Sequence, residues 1–111
     1  GMNHFLLPTA PSLGERNTRH GDVAMDSLAH MLKELGSGLG TVTPHVFGGA
    51  HILPGAPAAA HLGERNANMA LHWLERARVA VATVDVGGNV ARRVEFSLSD
   101  GVATVRKLGG D

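Results

Sequence analysis

The sequence contains no cysteine. Within these 111 residues that excludes disulfides, thiolate metal sites and thiol nucleophiles. Surplus charge is absent too, since ten lysines and arginines balance ten aspartates and glutamates. A phosphate-tracking surface draws its affinity from excess cationic charge, so nucleic acid is not an expected partner. No run comes near the length of about 18 apolar residues that spans a membrane. No charged n-region precedes an apolar h-region either. The expectation is a soluble, cytoplasmic protein without membrane insertion. Apolar residues still make up 43% of the chain, which is too many for intrinsic disorder. The length suits a single domain, residues 1–111, with one core of its own. The chain opens on Gly1-Met2, and because ribosomes do not begin chains with glycine, a domain shortened at its N-terminus is expected.

What is there divides into short periodic segments. Met2–Leu7 is an apolar run ended by Pro8 and reads as a strand, followed by a polar loop from Thr9 to His20. Asp22 is placed to cap a helix in which Val23, Met25, Leu28, Met31, Leu32 and Leu35 form one buried stripe. Gly36 is placed to end that helix in a left-handed conformation. Val42–Phe47 reads as a strand broken by Gly48-Gly49, and Ala50–His61 as an irregular connection. A second helix is expected from about Gly63 to Ala77, with Met69, Ala70, Trp73, Leu74 and Ala77 inward. Val79–Asp85 reads as a strand and Val86–Asn89 as a turn. Ala91–Leu98 and Val102–Leu108 then flank an Asp100-Gly101 hairpin signal, with Arg93, Glu95 and Ser97 on its wet face. The order β-α-β-α-β-β-β implies an α/β (α+β) sandwich, a mixed or largely antiparallel sheet covered by two main helices. Leu13–Asn17 recurs word for word as Leu62–Asn66, but the flanks share nothing, so no duplicated unit is inferred.

Seven histidines raise a metal-dependent hydrolase as one reading. They form no HExxH or comparable pair, and His45, His51, His61 and His72 sit at spacings that match no known site. No metal and no cofactor are expected. Gly48-Gly49 and Gly87-Gly88 could line a groove where a missing Cβ admits a substrate backbone, or could simply make tight turns. Arg65 and Asn66 could support a site with their fixed donors, while Gly63–Asn66 could equally be a helix start with Glu64 favourably set against the dipole. Asp85 reads as a turn-stabilising carboxylate. Trp73 and the methionines of the helices, at helical spacing, read as core.

Several segments, taken in order, resemble the chemoreceptor glutamine deamidase (CheD) family. They are Gly1–Pro8 with His4 shortly before Leu7-Pro8, His20–Met25, Val46–Ala50, Gly63–Asn66, Asp85–Asn89 and Arg92–Phe96. Each motif is weak alone; their order across nearly the whole chain is specific. The resemblance implies a chemotaxis protein that converts selected receptor glutamines to glutamate. A cysteine thiolate attacks the carboxamide, a thioester forms, and water releases the acid. A histidine takes the thiol proton and returns it to departing ammonia, with a threonine orienting it. His4 matches that histidine. The family's cysteine and threonine lie in a Leu-Gly-Ser-Cys-like segment ahead of it, and no serine here sits in a context that would replace a thiol. The chain alone is therefore expected to be inactive. Implied partners are chemoreceptor cytoplasmic helices and a CheC-type phosphatase; a non-catalytic adaptor for either is the alternative. Loss of neighbouring strands would leave Met2–Leu7 with an open edge, so self-association through it is a further expectation.

Overall fold

The computed structural model describes residues 1–51 and 61–109. The irregular connection expected over 50–61 falls mostly outside them. The elements are α1 (Gly21–Glu34), β1 (His45–Gly48), α2 (Leu62–Arg76), β2 (Thr83–Val86), β3 (Ala91–Phe96) and β4 (Ala103–Leu108). Short 3-10 turns at Leu13–Glu15 and Leu39–Thr41 complete the list. The fold is mixed α/β, as expected, but its described order is α-β-α-β-β-β.

The missing first strand is the main correction. Met2–Leu7 forms no strand; among the described residues its only ladder contact is an isolated parallel bridge between Leu7 and His20. The alternation that suggested a strand is nevertheless present. Asn3 and Phe5 are half-buried, whereas Met2, His4 and Leu6 are exposed. The segment is an extended strap laid on a helix: Gly1 lies against Leu28, Asn3 reaches Ala24 and Met25, and Phe5 lies against Gly21. Two extended residues advance about as far as one helical turn, so alternate strap positions meet the stripe 21, 24–25, 28 of α1. Period two is satisfied by a helix where the sequence suggested a sheet.

Asp22 is not the N-cap of α1; that position belongs to His20, which makes no side-chain capping bond. The Asp22 carboxylate instead accepts the N–H groups of Val23 at 2.9 Å and Ala10 at 3.1 Å, while the Gly21 and Asp22 N–H groups are taken by the carbonyls of Leu7 and Pro8. Of the orphan donors that every helix start carries, two are thus satisfied by the Leu7 and Pro8 carbonyls and a third by the Asp22 carboxylate. At the other end, Gly36 adopts φ +91° and the Ser37 and Gly36 N–H groups return to Leu32 and Lys33, the paired closure that a left-handed residue after a helix permits. α2 ends the same way with Arg78 at φ +60°, the Val79 and Arg78 N–H groups returning to Leu74 and Glu75.

The core lies where the two helices meet. Ala24, Ala67, Ala70 and Leu74 are its buried apolar members, and the three alanines are small enough to let the helix axes approach. Gly21 lies against Met69, and Trp73 Nε1 donates to Asp26 Oδ1 at 2.9 Å. Of the expected stripe of α1, Val23, Met25, Leu28 and Leu32 are half-buried. Met31 (59% exposed) and Leu35 (82% exposed) are uncovered.

β1 pairs in parallel with β2, from His45–Thr83 to Gly48–Val86. Parallel neighbours need a crossover, usually helical, and α2 supplies it. Both strands are shorter than their apolar runs, since Val42 closes the preceding 3-10 turn and Val79 is held in the α2 terminus. β3 and β4 form the expected antiparallel hairpin, Ala91 opposite Leu108 and Phe96 opposite Ala103. Arg93 and Glu95 are exposed as expected. Its loop is longer than a two-residue turn: Ser97 N–H donates to Val102, Gly101 N–H returns to Ser97, and only Gly101 takes positive φ. Leu98, at 81% exposure, therefore lies in the loop rather than on the inner face. The repeated pentapeptide is a 3-10 turn in its first copy and the start of α2 in its second, which supports reading no duplication.

Candidate functional site

The strap carries His4. Its inward residues are fixed at three points. Asn3 Nδ2 donates to the Ala24 carbonyl at 3.2 Å, the Phe5 ring fills the space over Gly21, and Asn66 Nδ2 donates to the Leu6 carbonyl at 2.9 Å. Beyond them, the Leu6 and Leu7 N–H groups both reach the Arg19 carbonyl. His4 lies on the opposite parity and is exposed. An imidazole so placed can accept or donate a proton to a group arriving from outside the molecule.

The first turns of α2 bring Asn66 to this strap because positions three and four apart share a helix face. Gly63, three residues earlier, meets the loop after β1: a Cβ on it would stand 2.5 Å from the Gly49 carbonyl oxygen. Gly49, at φ +70°, faces the same contact from its own side, where an added Cβ would stand 2.6 Å from the Gly63 oxygen. Close backbone approach, rather than an open groove, explains this pair of glycines. Arg65 is exposed and borders an open depression of about 700 Å³ shared with Leu7, Pro8, Arg19 and His20. His20 is 5% exposed, and its Nδ1 has no hydrogen-bond partner among the described residues.

The two Gly-Gly loops converge on Arg92. Its guanidinium side chain, 6% exposed, donates to the carbonyls of Gly87 at 3.0 Å and Gly48 at 3.3 Å and pairs with Asp85 Oδ1 at 3.1 Å. The Gly87 N–H also donates to Gly48 O at 2.9 Å, and the Gly88 carbonyl accepts the His51 N–H at 2.8 Å. Asp85 thus serves a buried cation rather than only its own turn. Arg92 shares the inward parity of Val94 and Phe96. A charge on the inner face of an alternating strand must find a partner, and that was the available signal for its role.

The expected site residues therefore fall into two groups. His4, Asn66 and Arg65 lie on or beside the strap, while Gly48, Gly49, Gly87 and Gly88 surround Arg92. The start of α2 touches both, through Asn66 and, one turn earlier, Gly63. Among the described residues no group of three or more His, Asp or Glu side chains converges as a metal site would, and no helix is long and apolar enough to cross a membrane.

Residues 6–107 match the family model described as CheD chemotactic sensory transduction. The chain belongs to the CheD family. It is 37% identical over 102 residues to a probable chemoreceptor glutamine deamidase CheD of Trichlorobacter lovleyi, covering 92% of this chain and 63% of the relative. A probable chemoreceptor glutamine deamidase CheD 1 of Anaeromyxobacter dehalogenans is 39% identical over 108 residues, covering 97% and 63%. The corresponding protein of Rhodospirillum rubrum is 35% identical, covering 97% and 61%. The chain thus spans somewhat over three-fifths of the length of these CheD relatives. Arg65, Asn66, Arg92 and both glycine pairs fall within the span matched by the CheD model, and His4 stands just ahead of it.

Proposed function

We propose that this chain acts in bacterial chemotaxis, in the cytoplasm, as the histidine-bearing part of a chemoreceptor glutamine deamidase. The observation that carries the reading is the placement of His4, an exposed imidazole on a strap anchored to both helices. In this role His4 accepts a thiol proton as the thiolate attacks the glutamine carboxamide. It then returns that proton to the amide nitrogen, so that the C–N bond breaks, ammonia leaves and the thioester forms. The 111 residues hold no thiol, so the nucleophile comes from outside them. Arg65 offers a planar, permanently charged donor set beside the strap, suited to a carboxylate or carbonyl on a receptor helix. The glycine pairs act indirectly, by setting the backbone around Arg92.

Ammonia release from a glutamine-bearing receptor fragment tests this. The 111-residue chain alone is expected to release none. A fusion carrying a Leu-Gly-Ser-Cys-like segment ahead of Met2 is expected to release it, and His4→Ala in that fusion to abolish it. Undiminished turnover in the His4→Ala fusion would sink the assignment.

The lack of cysteine favours one second reading, a non-catalytic adaptor that docks receptor helices or a CheC-type phosphatase. It predicts saturable binding of either partner by the chain alone and no ammonia from the fusion. Self-association is proposed on altered grounds, since Met2–Leu7 is no strand: Met2 (60% exposed) and Leu6 (59% exposed) flank His4 with apolar surface. Light scattering across a concentration series checks it.

A further inference from the structure

We propose that Asn66 is a positioning residue for His4, working with Asn3 to fix the strap by side-chain amides in place of a sheet ladder. This rests on the reading of His4 as the proton-transfer group. Among the described residues, the backbone of Met2, Asn3, His4 and Phe5 makes no backbone hydrogen bond. An extended segment without a ladder loses little on fraying, because each residue fixed costs conformational entropy that nothing repays. Yet on each side of His4 one asparagine amide reaches a distant helix. Asn3 donates to Ala24, 21 residues on, and Leu6 receives Asn66, 60 residues on.

Asn66 is also a costly choice for stability. Its Oδ1 is buried without a partner among the described residues, and an unsatisfied buried acceptor costs at least as much as one donated bond returns. An apolar side chain on this half-buried face would avoid the penalty. The Leu6 and Leu7 N–H groups already tie this end of the strap to the Arg19 carbonyl; what the amide adds is a directed donor on the Leu6 carbonyl that ties the same end to α2, two residues beyond His4. Proton transfer depends on such placement, since small misplacements of a reacting group lower turnover steeply.

The test compares Asn66→Asp, Asn66→Ala and Asn3→Ala in the 111-residue chain by NMR relaxation. Asn66→Asp keeps the shape and removes the donor, so a packing role would survive it and a donor role would not. Wild-type amides of His4 to Leu6 are expected near an order parameter of about 0.85, falling below about 0.6 in both Asn66 variants while α1 and α2 stay rigid. Asn3→Ala is expected to loosen Asn3 and His4 only. In the cysteine-bearing fusion, Asn66→Asp is expected to lower kcat by about 10- to 100-fold with KM within about twofold. A strap already mobile in the wild type, one that stays rigid in Asn66→Asp, or an unchanged kcat would each overturn the proposal. Should the wild-type fusion release no ammonia, the deamidase reading falls, and the order parameters still decide the tether.

Discussion

Replacing Gly63 by alanine sets two physical effects against each other. Gly63 is the second residue of α2, and alanine is favoured over glycine in helices by up to about 1 kcal/mol. Local propensity alone therefore expects a small gain. The tertiary contact expects the reverse. The new Cβ would stand 2.5 Å from the Gly49 oxygen, 2.6 Å from the Gly49 carbonyl carbon and 2.7 Å from the Ala50 oxygen. All three are backbone atoms, so no side chain can swing aside. The loop is also held from behind, because the Gly48 carbonyl accepts from both Gly87 and Arg92. Relieving the contact means moving one backbone by roughly 1 Å, and overpacking of this kind costs about 1–3 kcal/mol. After the propensity gain is set against it, a net loss of about 1 kcal/mol is expected, or roughly 4–5 °C in Tm for a chain of this size. Thermal unfolding followed by circular dichroism at the helix band reads it directly. Gly14→Ala is the matched control, since its Cβ would meet nothing within 4 Å and its φ is not in the left-handed region. A Tm for Gly63→Ala equal to or above that of Gly14→Ala would refute the close-approach argument.

Other outcomes follow from the same structure. Arg92→Ala should cost about 2–4 kcal/mol by stranding Asp85 and the Gly48 and Gly87 carbonyls, seen as a lower urea midpoint with unchanged slope; Arg92→Lys should recover only part, having no planar fork. Arg78→Gly should stabilise by about 0.5–1 kcal/mol, since a non-glycine residue at φ +60° is strained, and a lower urea midpoint would count against it. The Asp100 carboxyl is held below the ordinary aspartate range, chiefly by the Val102 N–H and then by the Ser97 hydroxyl. Its contribution to the hairpin is therefore present above the unfolded-state value and lost as pH falls through the lower folded value. A carboxyl carbon titration with its midpoint at or above that of the unfolded chain would contradict this.

Much was legible from local physics because local physics decided it. The α2 stripe, the Gly36 terminus and the β3–β4 hairpin depend on residues near each other in the chain, and all appear close to their expected bounds. Errors cluster where an intrinsic preference met a distant partner. Asp22 has the chemistry of an N-cap, but the Leu7 and Pro8 carbonyls take the first two helix N–H groups, so from inside the helix its carboxylate accepts the Val23 N–H and that of distant Ala10. Met31 and Leu35 carry the helical period of a buried stripe, yet period states only which residues share a face, not what covers them.

The site divides along the same line. His4, Arg65 and Asn66 were named from the sequence, but only the fold sets Asn66 on the carbonyl two residues beyond His4. The absence of cysteine, the zero net charge and the alternation of Met2–Leu7 belong to the sequence by itself, and so does their consequence that thiol chemistry has no nucleophile here. That the alternation is met by a helix, that Gly49 and Gly63 touch, and that Arg92 gathers both glycine loops were decided by tertiary structure. A hydrogen bond across 60 residues leaves no periodic trace, because its two ends carry no information about each other until the chain brings them together.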